Sequence, residues 1–326
     1  MSHVIESGYS HRSLDGVFAA LAPLRPFLED PGVNEIQINA PNEVFVRRGG
    51  LDQRLDDLRL TAGMIRSAIH IVASINDKEV GERRSRFILS ARLPGLRIEA
   101  LLPPVATRGP SMCIRRHGMQ LLSLADQVTR GVCSQPQADL LARIVHSRCN
   151  FLVSGGTYSG KTTLVNTLLA LLPPQQRLFV IEQVHELKIS SPNAVLFECD
   201  AEQGASARRA VEVAMRYSPH RVILGELRGP EALDFLNACN TGHPGSCSTI
   251  HADSAADALL RLEDLAAMDG RLPFAAVQAR IERSIHWVIH MAMLQQGHRI
   301  TDIARVSGFD RERSCYLLET SPEGTP

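Results

Sequence analysis

Apolar positions recur at helical spacing over residues 14–28 and again over 62–75. In the second stretch Met64, Ile65, Ala68, Ile69 and Val72 share one face, so both segments are predicted helices. Between them, Glu35–Ile38 and Glu43–Val46 flank Asn39-Ala40-Pro41-Asn42, a turn sequence joining two short strands. A second hairpin is predicted for Phe87–Leu93 and Leu96–Leu102 around Pro94-Gly95. There Leu96, Ile98, Ala100 and Leu102 alternate with Arg97 and Glu99, the period of a half-buried strand. Residues 1–118 are therefore expected to form a small α+β domain. Pro103-Pro104 and the polar stretch Arg115-Arg116-His117-Gly118 read as the connection out of it, and residues 119–135 as a linker.

From Leu121 the pattern changes to alternating strands and helices. A helix over Gln137–Ser147 leads into the apolar strand Phe151-Leu152-Val153, a Gly-rich turn and an apolar helix over Thr162–Leu172. Leu178–Ile181 and Val222–Leu224 are short continuous apolar runs, as found in parallel sheets covered on both faces. Residues 136–326 are thus expected to be an α/β domain.

Composition narrows the class. The chain has 326 residues, 44% of them hydrophobic and 21% charged, enough apolar material for a large core. Thirty-five Lys and Arg balance 35 Asp and Glu, which argues against a surface-wide basic field, and no sequence-specific nucleic-acid binding is expected. No apolar run approaches the ~18 residues of a membrane span, and the first residues, MSHVIESGYSHRS, lack the apolar core of a signal peptide. A cytoplasmic protein is expected, reaching a membrane only through partners. The 7 cysteines include no CxxC pair, and the 12 histidines no HExxH, so neither a zinc ribbon nor a zinc hydrolase is indicated.

The chemistry concentrates in Gly155-Gly156-Thr157-Tyr158-Ser159-Gly160-Lys161-Thr162, a GxxxxGK[ST] phosphate loop set between a strand and a helix. Its glycines let successive backbone N–H groups turn inward into an anion-binding nest, and the helix N-terminus adds partial positive charge. Lys161 is expected on the β- and γ-phosphates, and the Thr162 hydroxyl on Mg²⁺, with Thr163 beside it. Tyr158 is expected in an ordinary backbone conformation, because positive φ would strain it. Its ring either points away from the phosphates or stacks on a base or a neighbour. The loop alone does not separate ATPase from GTPase or kinase, although the guanine-selecting NKxD is absent. Downstream, Arg221–Gly225 is an apolar strand that ends on Glu226, which places an acid beside Mg²⁺ and the attacking water.

With GGTYSGKTT, RVILGELRGPEALDFL and NTGHPGSCSTIHA in order, the chain resembles the ATPases of the type II/type IV secretion superfamily, and within it the TrbB-type conjugal-transfer ATPases. LRPFLEDPGVNEIQINAPNEVFVRRGG is similar to that family's first domain, and the likeness spans most of residues 20–290. The resemblance implies a RecA-like P-loop ATPase domain behind the small α+β domain. It also implies MgATP hydrolysis, a homo-hexamer, and attachment to inner-membrane components of a conjugation or secretion channel. Glu182 and Glu186 fall in its aspartate-box region, where Gln183 replaces the usual Asp. Glu226, Arg228, His243 and His251 match its remaining motifs. The resemblance implies that His243 and His251 sense the γ-phosphate; eight residues apart in a Gly-rich segment, they could equally pin a loop. It implies too that Arg115 and Arg116 reach the phosphates, the other reading being a solvated pair. Pilus and type II secretion ATPases are the nearer rivals, though type II assembly ATPases usually carry a paired CxxC. A non-hydrolysing nucleotide-binding ring subunit is the rival from another class.

Overall fold

The computed structural model describes residues 11–81, 85–116, 121–200 and 204–320. Two compact units divide between Met119 and Gln120. The first residues of the chain and His117-Gly118 lie outside the described residues.

The first unit runs α1 (His11–Ala20), a 3₁₀ turn (Ala22–Leu24), α2 (Arg25–Glu29), β1 (Glu35–Ala40), β2 (Glu43–Arg48), β3 (Leu51–Arg54), α3 (Ala62–Ile75), β4 (Ile88–Leu93), β5 (Leu96–Leu101) and β6 (Ser111–Arg116). Both expected hairpins form, β1 with β2 and β4 with β5. The expected helix over 14–28 is instead split in three. Pro23 and Pro26 lack an N–H and occupy first-turn positions of the two later pieces, where a missing donor costs nothing.

A larger departure concerns residues 111–116, of which the last two, Arg115 and Arg116, were expected in the connection out of the domain. They form β6, a central strand between β1 and β5 in the order β3-β2-β1-β6-β5-β4. Met112 and Ile114 point into the core while Ser111, Cys113 and Arg115 face out, an alternation that the two consecutive arginines obscure. The inward faces of β1, β2, β4, β5 and β6 pack on Val17 of α1, on Leu21 just after it, and on Ile65, Ile69 and Val72 of α3. Thr61 caps α3 by accepting from the Met64 N–H.

The second unit runs α4 (Leu124–Thr129), α5 (Gln135–His146), β7 (Phe151–Gly155), α6 (Lys161–Leu169), β8 (Leu178–Glu182), β9 (Ala194–Glu198), α7 (Ala207–Ala214), β10 (Arg221–Leu227), α8 (Glu231–Asn240), β11 (Cys247–Ile250), α9 (Ala255–Ala267), α10 (Phe274–Ser284), β12 (Trp287–Leu294), β13 (Gly297–Asp310) and β14 (Cys315–Thr320). Its sheet has the order β14-β13-β12-β7-β11-β10-β8-β9. The six strands from β12 to β9 are parallel, and β13 and β14 continue antiparallel. One core lies between the sheet and helices α7–α10, a second between the sheet and α5 and α6. Both faces are therefore covered, which is why β7, β8 and the first half of β10 are buried throughout and mostly apolar. Capping boxes at Ser123 and Ser134 start α4 and α5. No described helix is long and apolar enough to cross a membrane.

Candidate functional site

Crossover connections leave the carboxyl ends of β7, β8, β10 and β11 on one edge of the sheet, where open α/β sheets bind ligands. The phosphate loop leaves β7 at Gly155 and enters α6 at Lys161. Gly155 is obligatory there. Its φ is +150°, and a Cβ would stand 2.2 Å from the Met291 carbonyl oxygen on β12. Gly160 caps α6 in the left-handed region at φ +96°. Tyr158, expected in an ordinary conformation, has φ +63° instead. The loop must alternate hand to turn its N–H groups inward, and at this position the nest geometry overrides the side chain's preference.

The loop fits a phosphate chain. Ser159 Oγ is buried with no hydrogen-bond partner, and open space surrounds the Cβ position of Gly156. Lys161 Nζ donates to the carbonyls of Gly155 at 2.8 Å and Gly156 at 2.7 Å, folded back over the loop where an anion would draw it outward.

From Lys161 a polar chain runs across the strand ends. Its Nζ lies 3.5 Å from His251 Nδ1, and His251 Nε2 lies 3.1 Å from Glu226 Oε1. Arg228 Nη2 pairs with Glu226 Oε2 at 2.6 Å, and its Nη1 donates to Gln183 Oε1 at 2.9 Å. The Glu226 carboxylate holds the Arg228 guanidinium above its usual pKa. Thr249 Oγ1 donates to the Gly225 carbonyl at 2.7 Å, tying β11 to the end of β10 just before Glu226.

Glu182 is buried and committed locally. Its Oε1 accepts from the Glu186 and Leu187 N–H groups, both at 2.9 Å, and Oε2 lies 3.0 Å from His185 Nδ1. It shapes the turn that presents Gln183, while Asn166 of α6 holds the same segment through the Glu186 carbonyl and the Lys188 N–H. Thr162 and Thr163 open α6 and are half-buried.

His243 is not brought to this edge. It lies at the opposite end of β11, buried, with Nδ1 2.7 Å from the Pro219 carbonyl oxygen, and so pins the turn before β10. Arg115 and Arg116 belong to the first unit. Arg115 stands on the outer face of its sheet, in register with Glu35 and Arg97. Arg116 donates from Nη2 to the Leu28 carbonyl and from its backbone to Asn34.

Sequence reasoning missed the residues that β12 and β13 bring to the loop. The His290 ring lies 2.9 Å from Ser154 Oγ beneath the loop, and burial lowers its pKa, favouring the neutral ring. The His298 ring stands against Gly160. The apolar run WVIHMAML and the turn residues before His298 were the available signal.

Fold and site together define a RecA-like P-loop nucleotide-binding unit carried behind a small α+β unit. Residues 20–315 match the family model described as Type II/IV secretion system protein, and the chain belongs to that family. It is 35% identical over 303 residues to the probable conjugal transfer protein TrbB of Sinorhizobium fredii, covering 90% of this chain and 88% of that one. It is 34% identical over 290 residues to the conjugal transfer protein TrbB of Rhizobium radiobacter, covering 86% of each. In fold it resembles the ATPase DotB of Yersinia pseudotuberculosis, with a TM-score of 0.64 at 16% identity over 94% of this chain and 82% of that one.

Proposed function

We propose that this protein is an ATPase whose hydrolysis of MgATP powers conjugative transfer through a type IV secretion channel. The proposed working form is a cytoplasmic homo-hexamer held at the inner membrane by channel components. The observation that carries the reading is the placement of Glu226 between His251 and Arg228, at the end of the polar chain from Lys161. In-line attack on a γ-phosphate needs a held triphosphate, a positioned water and neutralised charge. The Gly155–Thr163 loop supplies the first through its N–H groups and Lys161. Glu226 is the acceptor for a proton of the attacking water, and its bonds to His251 and Arg228 fix its direction. Mg²⁺, held by Thr162 with Glu226 close by, would neutralise charge on the phosphates when bound. Gln183, standing where the family usually has Asp, adds no charge to this group, so Arg228 has Glu226 as its ionic partner here. On the family resemblance alone, Arg115 and Arg116 are proposed as phosphate contacts as well; the Arg116 guanidinium also donates to the Leu28 carbonyl.

The test separates binding from chemistry. Lys161→Ala should lose both nucleotide binding and turnover. Glu226→Gln should bind MgATP near normally while phosphate release falls by ~10²-fold or more, a barrier increase of about 2.7 kcal/mol. Near-normal phosphate release by Glu226→Gln would remove Glu226 from this role.

A further inference from the structure

We propose that the free end of the β12–β13 hairpin is the platform on which the nucleoside of the bound nucleotide stacks, with His298 and Met293 as its contact residues. This rests on the nucleotide reading above and adds the half of the ligand that the phosphate loop does not address.

The argument begins with sheet order. β7, which carries the loop, lies between β11 and β12. His251 and Glu226 stand on the β11 and β10 side, so the terminal phosphate of a nucleotide is directed there. The phosphates form a linear chain, and their nucleoside end therefore leaves the loop toward β12. The hairpin waits on that side. Met291 lies opposite Gly155 in the parallel pairing of β12 with β7, and Met293 lies opposite His298 across the hairpin. The His298 ring approaches the Cβ position of Gly160 to 3.3 Å at Nδ1 and 3.5 Å at Cγ, at the N-terminus of α6. Its Nδ1 is buried without a partner.

Two further features point to a flat, apolar ligand. Met293 is 39% and Leu294 50% exposed, apolar side chains at the end of β12 opposite His298 and Gly297. On the far side, Gly131 lies 3.4 Å, at its Cβ position, from Arg299 Nη2, and the Ile300 N–H donates to the Val132 carbonyl at 2.8 Å. The α4–α5 connection is thereby fastened alongside the platform. An imidazole face and a thioether offer a base stacking and dispersion rather than edge recognition, so they read any purine by its face.

The experiment compares two ligands that share a diphosphate and differ by the nucleoside, ADP and inorganic pyrophosphate, in equilibrium titrations of the full chain with Mg²⁺. His298→Ala and Met293→Ser should each weaken ADP binding, by roughly five- to a hundredfold for the ring, and leave pyrophosphate within about twofold of wild type. His298→Phe should restore ADP binding. Unchanged ADP affinity in both variants overturns the platform. A parallel loss of ADP and pyrophosphate also overturns it, because it would make the hairpin a prop for the loop. Wild-type protein that binds neither ligand would overturn the nucleotide reading itself.

Discussion

The two ends of the second unit's parallel sheet are both rich in polar groups, and they are organised differently. At the amino ends of the strands Arg221, Asn150 and Ser246 are each engaged by several fixed neighbours. Arg221, 1% exposed, donates to the Gln176 side chain at 2.7 Å and to the carbonyls of Gly245 at 3.0 Å and Val145 at 2.9 Å. Asn150 Oδ1 accepts from Gly245 and Ser246, and its Nδ2 donates to the Ser284 carbonyl. Ser246 Oγ accepts from Val222 and donates to the His243 carbonyl. At the carboxyl ends, Ser159 Oγ is buried without a partner, Lys161 is turned onto carbonyls of its own loop, and the Glu226 and His251 side chains are partly exposed. A saturated polar cluster stabilises one arrangement; one with spare capacity in a glycine-lined loop is arranged for a ligand. The segment from His243 to His251 spans both ends, so its two histidines stand in different environments.

The largest effect expected from this contrast is at Arg221. Arg221→Ala removes a buried side chain, leaves carbonyls without their donor and opens a cavity, at a cost of about 3 kcal/mol or more of stability. Urea unfolding should show it, while the folded fraction still binds nucleotide. A normally stable variant with abolished nucleotide binding would break the division between the ends.

The histidines sharpen the comparison at intermediate size. His243→Ala should lower stability by about 1–3 kcal/mol, through the unpaired Pro219 carbonyl, with phosphate release per folded molecule near normal. His251→Ala, at a partly exposed position, should change stability by no more than about 0.5 kcal/mol and lower phosphate release at least ~10-fold. Measured side by side, a reversal of the two patterns would tie turnover to His243 rather than to His251.

Smallest is Tyr158. A non-glycine residue at φ +63° carries about 1–2 kcal/mol of strain, and glycine there would relieve it at an entropic cost of roughly 0.5–1 kcal/mol. Tyr158→Gly should therefore raise the unfolding free energy by up to ~1 kcal/mol. A clear loss of stability would show that the ring's packing outweighs the strain.

Much of the fold was legible along the chain because its signals are local. Both hairpins of the first unit, α3 and the strand–loop–helix around Lys161 follow from periodicity and turn residues. The three motifs placed the chain in its family, which the match over residues 20–315 bears out. Where the signals were local but masked, the reading slipped. Two prolines broke the expected first helix, and Arg115-Arg116 hid the alternation of β6.

What the sequence alone determined is the inventory: a phosphate loop, a strand ending in Glu226, a histidine-bearing segment and two units of different texture. What only the tertiary structure decided is which members of that inventory meet. Glu226, His251 and Lys161 converge because β7, β10 and β11 are parallel and end at one edge, whereas His243, eight residues before His251, is left at the other. The β12–β13 hairpin reaches the loop across more than 130 residues of chain, through the pairing of Met291 with Gly155. Strand order and register arise from burying two faces at once, a property of the packed sheet that no local run of residues carries.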